Sequence, residues 1–491
     1  MTTQVNALLT SGQTQQAIAQ LSHKLENNQA TEAECLLLGQ LQFEEQLVPE
    51  SITAFEAFLL HQPDNTDALL ALAQSQLLAG FSATETFATI TRLNPALRNA
   101  WHGYALAVAS QGSVVEAHQF LESKLQTHGD WVEGHKLLAT LKYTQGDDAT
   151  FLNSFQQAIN QQPQHAQLHQ HYFNLLVQNK DWDNAQQLIE NMRKQSALTR
   201  FAKIASIILA IESGQTGQLN PLLQQAQHID DTALDLALVR YFIKQQQFQT
   251  AETIAMRRVA KSSALVFIPY LSLIWRLTDS PYFAWLEHND ELVKSMPVHL
   301  SESELIELKT CLNKLHSSRS PFIEQSVRGG TQTDQHLFLR HEPILRTLRD
   351  KLKQTVSRYV AQLPEHDEKT HPLLGKPRAA AIDGNIKFSG SWSVRLQRQG
   401  YNVSHTHPKG WISSALHLQL PEMSNPGTPD AGFIQFGTPP PELNLNLSPT
   451  LKIKPVVGNV VLFPSTIWHS TVPFEQGERL VVAFDVQSPA R

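Results

Sequence analysis

Apolar and polar positions in the first half of the chain alternate with the period of an α-helix. In residues 99–128 one predicted helix is followed, after the turn pair Gln111 and Gly112, by a second amphipathic helix. The apolar faces of the two helices are marked by Trp101, Tyr104, Ala105 and Val108, and by Ala117, Phe120 and Leu121. Small residues such as Ala105 and Ala117 allow two helices to approach closely, so the pattern predicts a packed helical hairpin.

Similar hairpins follow one another at a regular spacing. The turns between them are marked by Pro63, Pro95, the stretch 128–130 and Pro163, about 34 residues apart, which is the period of a helical-repeat array. This spacing predicts a solenoid of helical hairpins that runs to about residue 275, with an ordinary helical bundle as the alternative.

The repeats resemble the tetratricopeptide repeat family. Trp101 and Ala117 stand where the family has its Trp and its Ala, whereas Ala105 replaces the usual Gly and Val108 the usual Tyr. Other units, at 67–95, 166–192 and 233–261, keep the helix pair and lack the Trp at the position where the family has it. The resemblance implies a concave surface that holds a protein or peptide partner.

The pattern changes from about residue 276. Helical periodicity returns at 301–316, where Ser301 and Glu304 have the spacing of a capping box, and at 341–364. After these helices come short runs rich in β-branched and aromatic residues, interrupted by Gly, Pro and Asn: SWSVRLQRQG, WISSALHLQLP, AGFIQFG, LKIKPVVGNVVLFPS and ERLVVAFDVQ.

Strands preceded by helices predict a double-stranded β-helix, or jelly roll, with buttressing helices. The predicted domains are therefore helical repeats at 1–275, helices at 276–380 and a jelly roll at 381–491. We expect the Pro- and Asn-rich stretch 425–449 to be rich in loops and to cover one end of the jelly roll.

Composition narrows the class of protein. The 491 residues include 17% charged and 41% hydrophobic positions, which indicates a multidomain globular protein. The formal charge is −6, and this balance does not indicate a cluster of Lys and Arg that binds nucleic-acid phosphates. The two cysteines, Cys35 and Cys311, are far apart, which argues against a disulfide framework or a thiolate zinc site. The chain shows neither a signal peptide nor an apolar run long enough for a membrane span, so we expect a cytoplasmic protein that binds neither nucleic acid nor membrane.

Candidate chemistry lies in the stretch NVSHTHPKGW, which contains His405 and His407. Both side chains leave the same face of a strand, so the pair fits either a metal site or two polar residues on a solvent face. His469 follows a later apolar strand, and Arg479 begins the strand RLVVAFDV. In a jelly roll the three histidines can converge on one metal and leave three octahedral positions open, while the guanidinium suits a carboxylate.

This combination resembles the 2-oxoglutarate and Fe(II)-dependent dioxygenases of the prolyl-hydroxylase-like type, and more narrowly bacterial oxygenases with N-terminal tetratricopeptide repeats. The resembling stretches are RGGTQT, SGSWSVRL, HTHPKGWISSALHLQLP, FGTPP, GNVVLFPSTIWHSTVPF and ERLVVAFDV. The resemblance implies that His405 and His469 bind iron, that Arg479 pairs with the distal carboxylate of 2-oxoglutarate, and that His417 helps to hold the same cosubstrate. The resemblance also implies dioxygen as a further cosubstrate.

The chain departs from the family pattern at His407, where the family usually has Asp or Glu. Either His407 is the third ligand, which makes the site one charge more positive than usual, or it lies behind the ligands and water or a remote carboxylate completes the site. Asp485 shares a strand face with Arg479 by even spacing, and we expect it to be a solvated or salt-bridged residue at the end of a strand.

Further residues are candidates for the pocket wall. For Trp411, Phe463 and Trp468 the alternative is core packing, and for the residues of the stretch SWSVRLQ it is a structural role in a strand. They are Trp392, Arg395, Gln397, Trp411, Phe463 and Trp468.

The sequence therefore predicts an iron- and 2-oxoglutarate-dependent hydroxylase whose repeats recruit a protein or peptide. Two alternatives stay open: a catalytically silent repeat scaffold, and a small-molecule oxygenase whose repeats serve assembly.

Overall fold

The structure is a computed structural model that describes residues 3–215, 217, 219–226, 228–261, 264–287, 291–365, 370–421 and 427–489. The chain divides into two compact units. The first comprises Met1–Leu141 and Gln335–Arg349, and the second comprises Lys142–Asp334 and Asp350–Arg491. The later repeat helices and the β-strands thus belong to one compact unit.

The first half of the chain forms consecutive helices joined by short turns. They are α1 (Thr3–Thr10), α2 (Thr14–Glu26), α3 (Glu32–Glu44), α4 (Val48–Leu59), α5 (Thr66–Ala79), α6 (Thr84–Leu93), α7 (Arg98–Ser110), α8 (Val114–Thr127) and α9 (Val132–Thr144). The helix pair predicted at 99–128 is confirmed as α7 and α8. Trp101 and Ala117 lie in one buried cluster between these two helices, and Gly112 makes the turn with a φ of 88° that favours glycine.

Helical pairs continue in the second unit. They are α10 (Asn153–Gln161), α11 (Ala166–Gln178), α12 (Trp182–Arg193), α13 (Thr199–Glu212), α14 (Leu219–Ala226), α15 (Thr232–Lys244), α16 (Phe248–Val259), α17 (Ile268–Leu277) and α18 (Pro281–Glu287). Helices α15, α16 and α17 share a buried apolar cluster that also includes Leu443 and Trp468 from the strand-rich part of the chain. The last repeats therefore pack directly on the domain that carries the candidate histidines.

Three more helices accompany the strands: α19 (Glu302–Leu315), α20 (Pro343–Ala361) and α21 (Ala379–Ile382). The predicted capping box is confirmed at the start of α19. The Ser301 hydroxyl accepts the Glu304 backbone N–H, and the Glu304 carboxylate accepts the Ser301 N–H.

The strands form two antiparallel sheets. They are β1 (Lys294–Pro297), β2 (Val327–Gln332), β3 (Phe388–Asn402), β4 (Ile412–Gln419), β5 (Ile434–Phe436), β6 (Leu451–Ile453), β7 (Asn459–Pro464), β8 (His469–Thr471) and β9 (Arg479–Val486). The larger sheet has the order β1-β7-β4-β9-β3-β2, and the smaller one has the order β6-β5-β8.

A buried cluster joins the two sheets face to face. Phe436 of the smaller sheet packs with Val461 and Phe463 of the larger one, as expected for a double-stranded β-helix. Strands β1 and β2 lie in the stretch that was predicted to be helical, and they extend the larger sheet at both edges. Their short sequences lack the alternation that would have revealed them.

The predicted loop-rich stretch 425–449 contains β5 and a short 3₁₀ helix at Pro441–Leu443, and its residues 425 and 426 lie outside the described part of the chain. Among the helices that the structure describes, none is both long enough and apolar enough to cross a lipid bilayer.

Candidate metal centre and adjoining cavity

The three candidate histidines converge at the mouth of the jelly roll. His405 and His469 are paired by two backbone hydrogen bonds, of 3.0 and 3.1 Å, in an isolated antiparallel bridge. The backbone N–H of His407 donates to the carbonyl of Ser465 at 2.9 Å, which fixes the third residue beside the same segment. One ring nitrogen from each histidine lies within 4.8 Å of the others, a separation suited to joint coordination of one metal ion.

Backbone carbonyls orient two of the rings. Nδ1 of His405 lies 2.8 Å from the carbonyl oxygen of Val403, and Nδ1 of His469 lies 3.1 Å from that of Ile467. Because a carbonyl only accepts, each Nδ1 carries the proton, and each Nε2 keeps a lone pair for a metal.

A carboxylate orients the third ring. Nδ1 of His407 lies 2.9 Å from Oδ2 of Asp485, and the His407 ring stacks on Trp392 with an interplanar angle of 3°. Asp485 lies near the end of β9 and accepts this hydrogen bond with its carboxylate. The hydrogen bond leaves Nε2 of His407 available for a metal, as in the other two rings.

Burial keeps the imidazoles of His405 and His469 neutral. Burial first, and then the neighbouring His407, lower the pKa of His405 to about 3. Burial also holds the pKa of His469 well below its ordinary value, with added repulsion from the other two rings. Neutral imidazole is the form that binds metal, and Fe(II) is among the ions that imidazole suits, so the donor set fits an iron site.

A cavity of about 450 Å³ opens beside the three histidines. Besides them, its wall includes Gln332, Trp392, Val394, Asn402, Phe463, Thr471, Arg479, Val481 and Ala483. Arg479, Val481 and Ala483 alternate along β9, so the period of the strand places the whole series on the cavity face.

Arg479 is 2% exposed and brings a positive charge to the cavity. It donates to Nε2 of His417 at 2.8 Å and to the carbonyl of Gly432 at 3.1 Å, while its Nε has no partner. Among the described residues no carboxylate pairs with Arg479, and burial lowers its pKa to about 10. An unpaired buried guanidinium beside a cavity fits an anionic ligand.

His417 lies behind Arg479. Its side chain is fully buried in β4 and is absent from the cavity wall. Burial, and then the charge of Arg479, hold its pKa well below the ordinary value, so its neutral Nε2 accepts the guanidinium N–H. The structure thus places His417 in contact with Arg479 and outside the cavity wall, and a part for His417 in holding the cosubstrate stays a prediction.

Two of the predicted wall residues, Trp392 and Phe463, line the cavity. Arg395 and Gln397 lie on the opposite face of β3 from Trp392, because they differ from it by an odd number of positions. Arg395 pairs there with Glu478, and Gln397 is exposed.

The other two predicted wall residues are buried away from the cavity, as their core-packing alternative describes. The indole N–H of Trp411 donates to the carbonyl of Leu373 at 3.0 Å, and that of Trp468 donates to the carbonyl of Pro269 at 2.8 Å. Each indole therefore satisfies its polar atom inside the core.

Sequence reasoning missed the segment that forms one side of the cavity. Residues 323–326 line it, although no periodic pattern marks them. The segment is fixed to repeat helices: Phe322 contacts the ring of Tyr143 at the end of α9, with ring centres 5.6 Å apart, and Glu324 accepts a hydrogen bond from Gln178 at the end of α11.

Comparison with known proteins identifies the domain around this cavity. Residues 390–485 match the family described as putative 2OG-Fe(II) oxygenase, where 2OG is 2-oxoglutarate. No curated protein is similar in sequence to this chain. The strand-rich part is thus a 2-oxoglutarate and Fe(II)-dependent oxygenase domain, and Fe(II), 2-oxoglutarate and dioxygen are its cofactor and cosubstrates.

Several solved structures resemble parts of the chain. A viral collagen prolyl hydroxylase from Paramecium Bursaria Chlorella virus-1 is 16% identical over 40% of this chain and 97% of its own, with a TM-score of 0.27. A prolyl-4-hydroxylase from Pseudomonas putida is 13% identical over 41% of this chain and 97% of its own, with a TM-score of 0.27. A tetratricopeptide repeat protein from Parabacteroides merdae is 16% identical over 48% of this chain and 94% of its own, with a TM-score of 0.29.

Proposed function

We propose that this protein, whose residues 390–485 match an Fe(II)- and 2-oxoglutarate-dependent oxygenase family, hydroxylates a protein or peptide recruited by its helical repeats. The observation that carries the proposal is one cavity that joins three convergent imidazoles to a buried arginine, for which the described residues offer no carboxylate partner. A metal cation suits the three imidazole donors, and a dianionic cosubstrate suits both that cation and the positively charged arginine.

In this proposal, Nε2 atoms of His405, His407 and His469 hold the iron. Their Nδ1 protons are already committed to other acceptors, so the rings need no change of tautomer on binding. Three protein ligands leave room for a chelating cosubstrate and for dioxygen.

Arg479 binds the distal carboxylate of 2-oxoglutarate in this proposal. The neutral His417 and the Gly432 carbonyl hold the guanidinium, and its Nε is still available. Fixing that carboxylate deep in the cavity directs the opposite, reactive end of the cosubstrate toward the imidazoles.

The bound metal and cosubstrate supply oxidation: 2-oxoglutarate and dioxygen yield succinate, carbon dioxide and one oxygen atom that enters a substrate C–H bond. The chain holds the substrate carbon in place and excludes water, for which Trp392 and Phe463 provide apolar walls. Trp392 also fixes the His407 ring by stacking on it.

A protein or peptide substrate is favoured by the neighbourhood of the cavity. The wall segment 323–326 is joined to repeat helices through Phe322 and Glu324. A chain that lies along the ends of α9 and α11 would therefore pass close to the cavity opening.

An anaerobic titration of the metal-free protein with Fe(II) and 2-oxoglutarate tests the site. We expect a visible charge-transfer band in the wild type, its loss in His405→Ala, His407→Ala and His469→Ala, and a higher 2-oxoglutarate requirement in Arg479→Ala. Arg395→Ala is the matched control, since Arg395 lies on the opposite sheet face. A wild type without the band would favour the silent scaffold.

Substrate recruitment is tested in the full-length protein. A photo-cross-linking residue at the exposed position 324 should capture a partner that gains one oxygen atom on addition of 2-oxoglutarate and oxygen, and that gain should be absent in His469→Ala. Succinate release that proceeds at full rate with a small molecule and without any captured partner would instead indicate the small-molecule oxygenase.

A further inference from the structure

The three candidate ligands differ in the group that accepts their Nδ1 protons. A usual iron triad has two histidines and one carboxylate, whereas the three imidazoles here contribute no charge. His405 and His469 donate their Nδ1 protons to neutral backbone carbonyls. His407 alone donates to an anion, the carboxylate of Asp485, at 2.9 Å.

The surrounding structure fixes the Asp485 carboxylate. Asp485 lies opposite Ser413 in the pairing of β9 with β4, and its Oδ1 accepts the Ser413 hydroxyl at 2.6 Å. The Ser413 oxygen in turn lies 2.9 Å from the hydroxyl of Ser465, and both serines are 1% exposed. Both carboxylate oxygens therefore have defined partners, and the side chain is only 13% exposed.

Gly410 keeps this arrangement compact. A Cβ atom at Gly410 would lie 3.2 Å from Cβ of Asp485 and 2.6 Å from Oγ of Ser465. The turn after His407 can therefore approach β9 closely only with glycine at this position.

We propose that Asp485 is a positioning residue that supplies, through His407, the negative charge which a ligand carboxylate supplies in the usual triad, and that it thereby sets the metal affinity. The inference rests on the proposed metal site. A carboxylate that accepts the Nδ1 proton fixes the ring and raises the basicity of Nε2, so the charge acts one hydrogen bond away from the metal.

The first test is the metal affinity of Asp485→Asn. The Asn oxygen can still accept the His407 Nδ1 proton, so the variant removes the charge and keeps the hydrogen bond. We expect binding of Co(II), titrated into the metal-free full-length protein at one neutral pH, to weaken roughly 10- to 100-fold. Asp383→Asn, which removes an exposed carboxylate from the same unit, should bind as the wild type does.

The second test asks whether the effect of Asp485 passes through His407. In His407→Asp the ligand itself carries a negative charge, and no Nδ1 proton connects it to Asp485. We therefore expect Asp485→Asn to weaken Co(II) binding much less in the His407→Asp background than in the wild type. A merely structural Asp485 would give an equal loss in both backgrounds.

The outcomes separate the two levels of the proposal. A wild type that binds neither Co(II) nor Fe(II) overturns the proposed function. A wild type that binds metal, together with an Asp485→Asn variant of equal affinity, overturns the role of Asp485 alone. If Asp485→Asn fails to fold, Asp485→Ser takes its place, because a hydroxyl can also accept the His407 Nδ1 proton and carries no charge.

Discussion

Replacing Arg479 by Gln should abolish most of the affinity for 2-oxoglutarate while metal binding survives. Arg479 is 2% exposed and has no carboxylate partner among the described residues, so a bound cosubstrate would meet a desolvated cation. Gln keeps hydrogen-bonding capacity toward His417 and the Gly432 carbonyl but carries no charge.

The expected loss of 2-oxoglutarate affinity follows from the burial of the pair formed by Arg479 and the cosubstrate carboxylate. A hydrogen bond to a charged group contributes about 1.5–3 kcal/mol, and breaking a buried ion pair costs about 3–5 kcal/mol. At a factor of ten for every 1.4 kcal/mol, we expect the dissociation constant for 2-oxoglutarate to rise roughly 150- to 4,000-fold.

The assay is an anaerobic titration with 2-oxoglutarate at saturating Fe(II), followed by the visible charge-transfer band. Co(II) binding without cosubstrate should be unchanged, which separates loss of the carboxylate partner from damage to the metal site. Arg395→Gln, on the opposite face of the sheet, should retain the wild-type isotherm. A change of less than tenfold in Arg479→Gln would refute the assignment of this residue to the distal carboxylate.

Three further results are expected. Gly410→Ala should lower the free energy of unfolding by about 1–3 kcal/mol in urea titrations because its Cβ meets Ser465; wild-type stability would contradict the close approach. Trp468→Phe removes the indole N–H that donates to the Pro269 carbonyl and should cost about 0.5–1.5 kcal/mol in the same assay, and wild-type stability would contradict a net contribution of this hydrogen bond. Burial lowers the pKa of His316 to about 4, so its contribution to stability is present above the unfolded value near 6.5 and is lost as the pH falls toward 4. His316→Gln should therefore show a shallower loss of stability than the wild type over that range in pH-dependent urea titrations, and parallel curves would contradict this.

The helical repeats followed from local sequence. Trp101, Ala117 and the turn at Gly112 lie within one hairpin, so helical period and turn chemistry were enough to predict α7 and α8. The same holds for the capping box at the start of α19, where both partners are three residues apart.

Strands β1 and β2 were beyond such reasoning. Each is short, and each is a strand because an edge of the larger sheet offers it backbone hydrogen bonds. Each strand pairs with a partner that is distant in the chain, and strands as short as these show no alternation of apolar and polar residues from which they could be predicted.

For the candidate site, the sequence by itself determined which side chains were available: an H-x-H pair, a later histidine and an arginine at the start of a strand. Their faces followed from the two-residue period, which also explains why Trp392 lines the cavity and Arg395 does not. Only the tertiary structure decided that His417 lies behind Arg479 and that Asp485 accepts the proton of His407. The first contact joins β4 to β9, and the second joins His407 to β9. Both depend on the register between the strands, and that register is set by the packing of the whole domain.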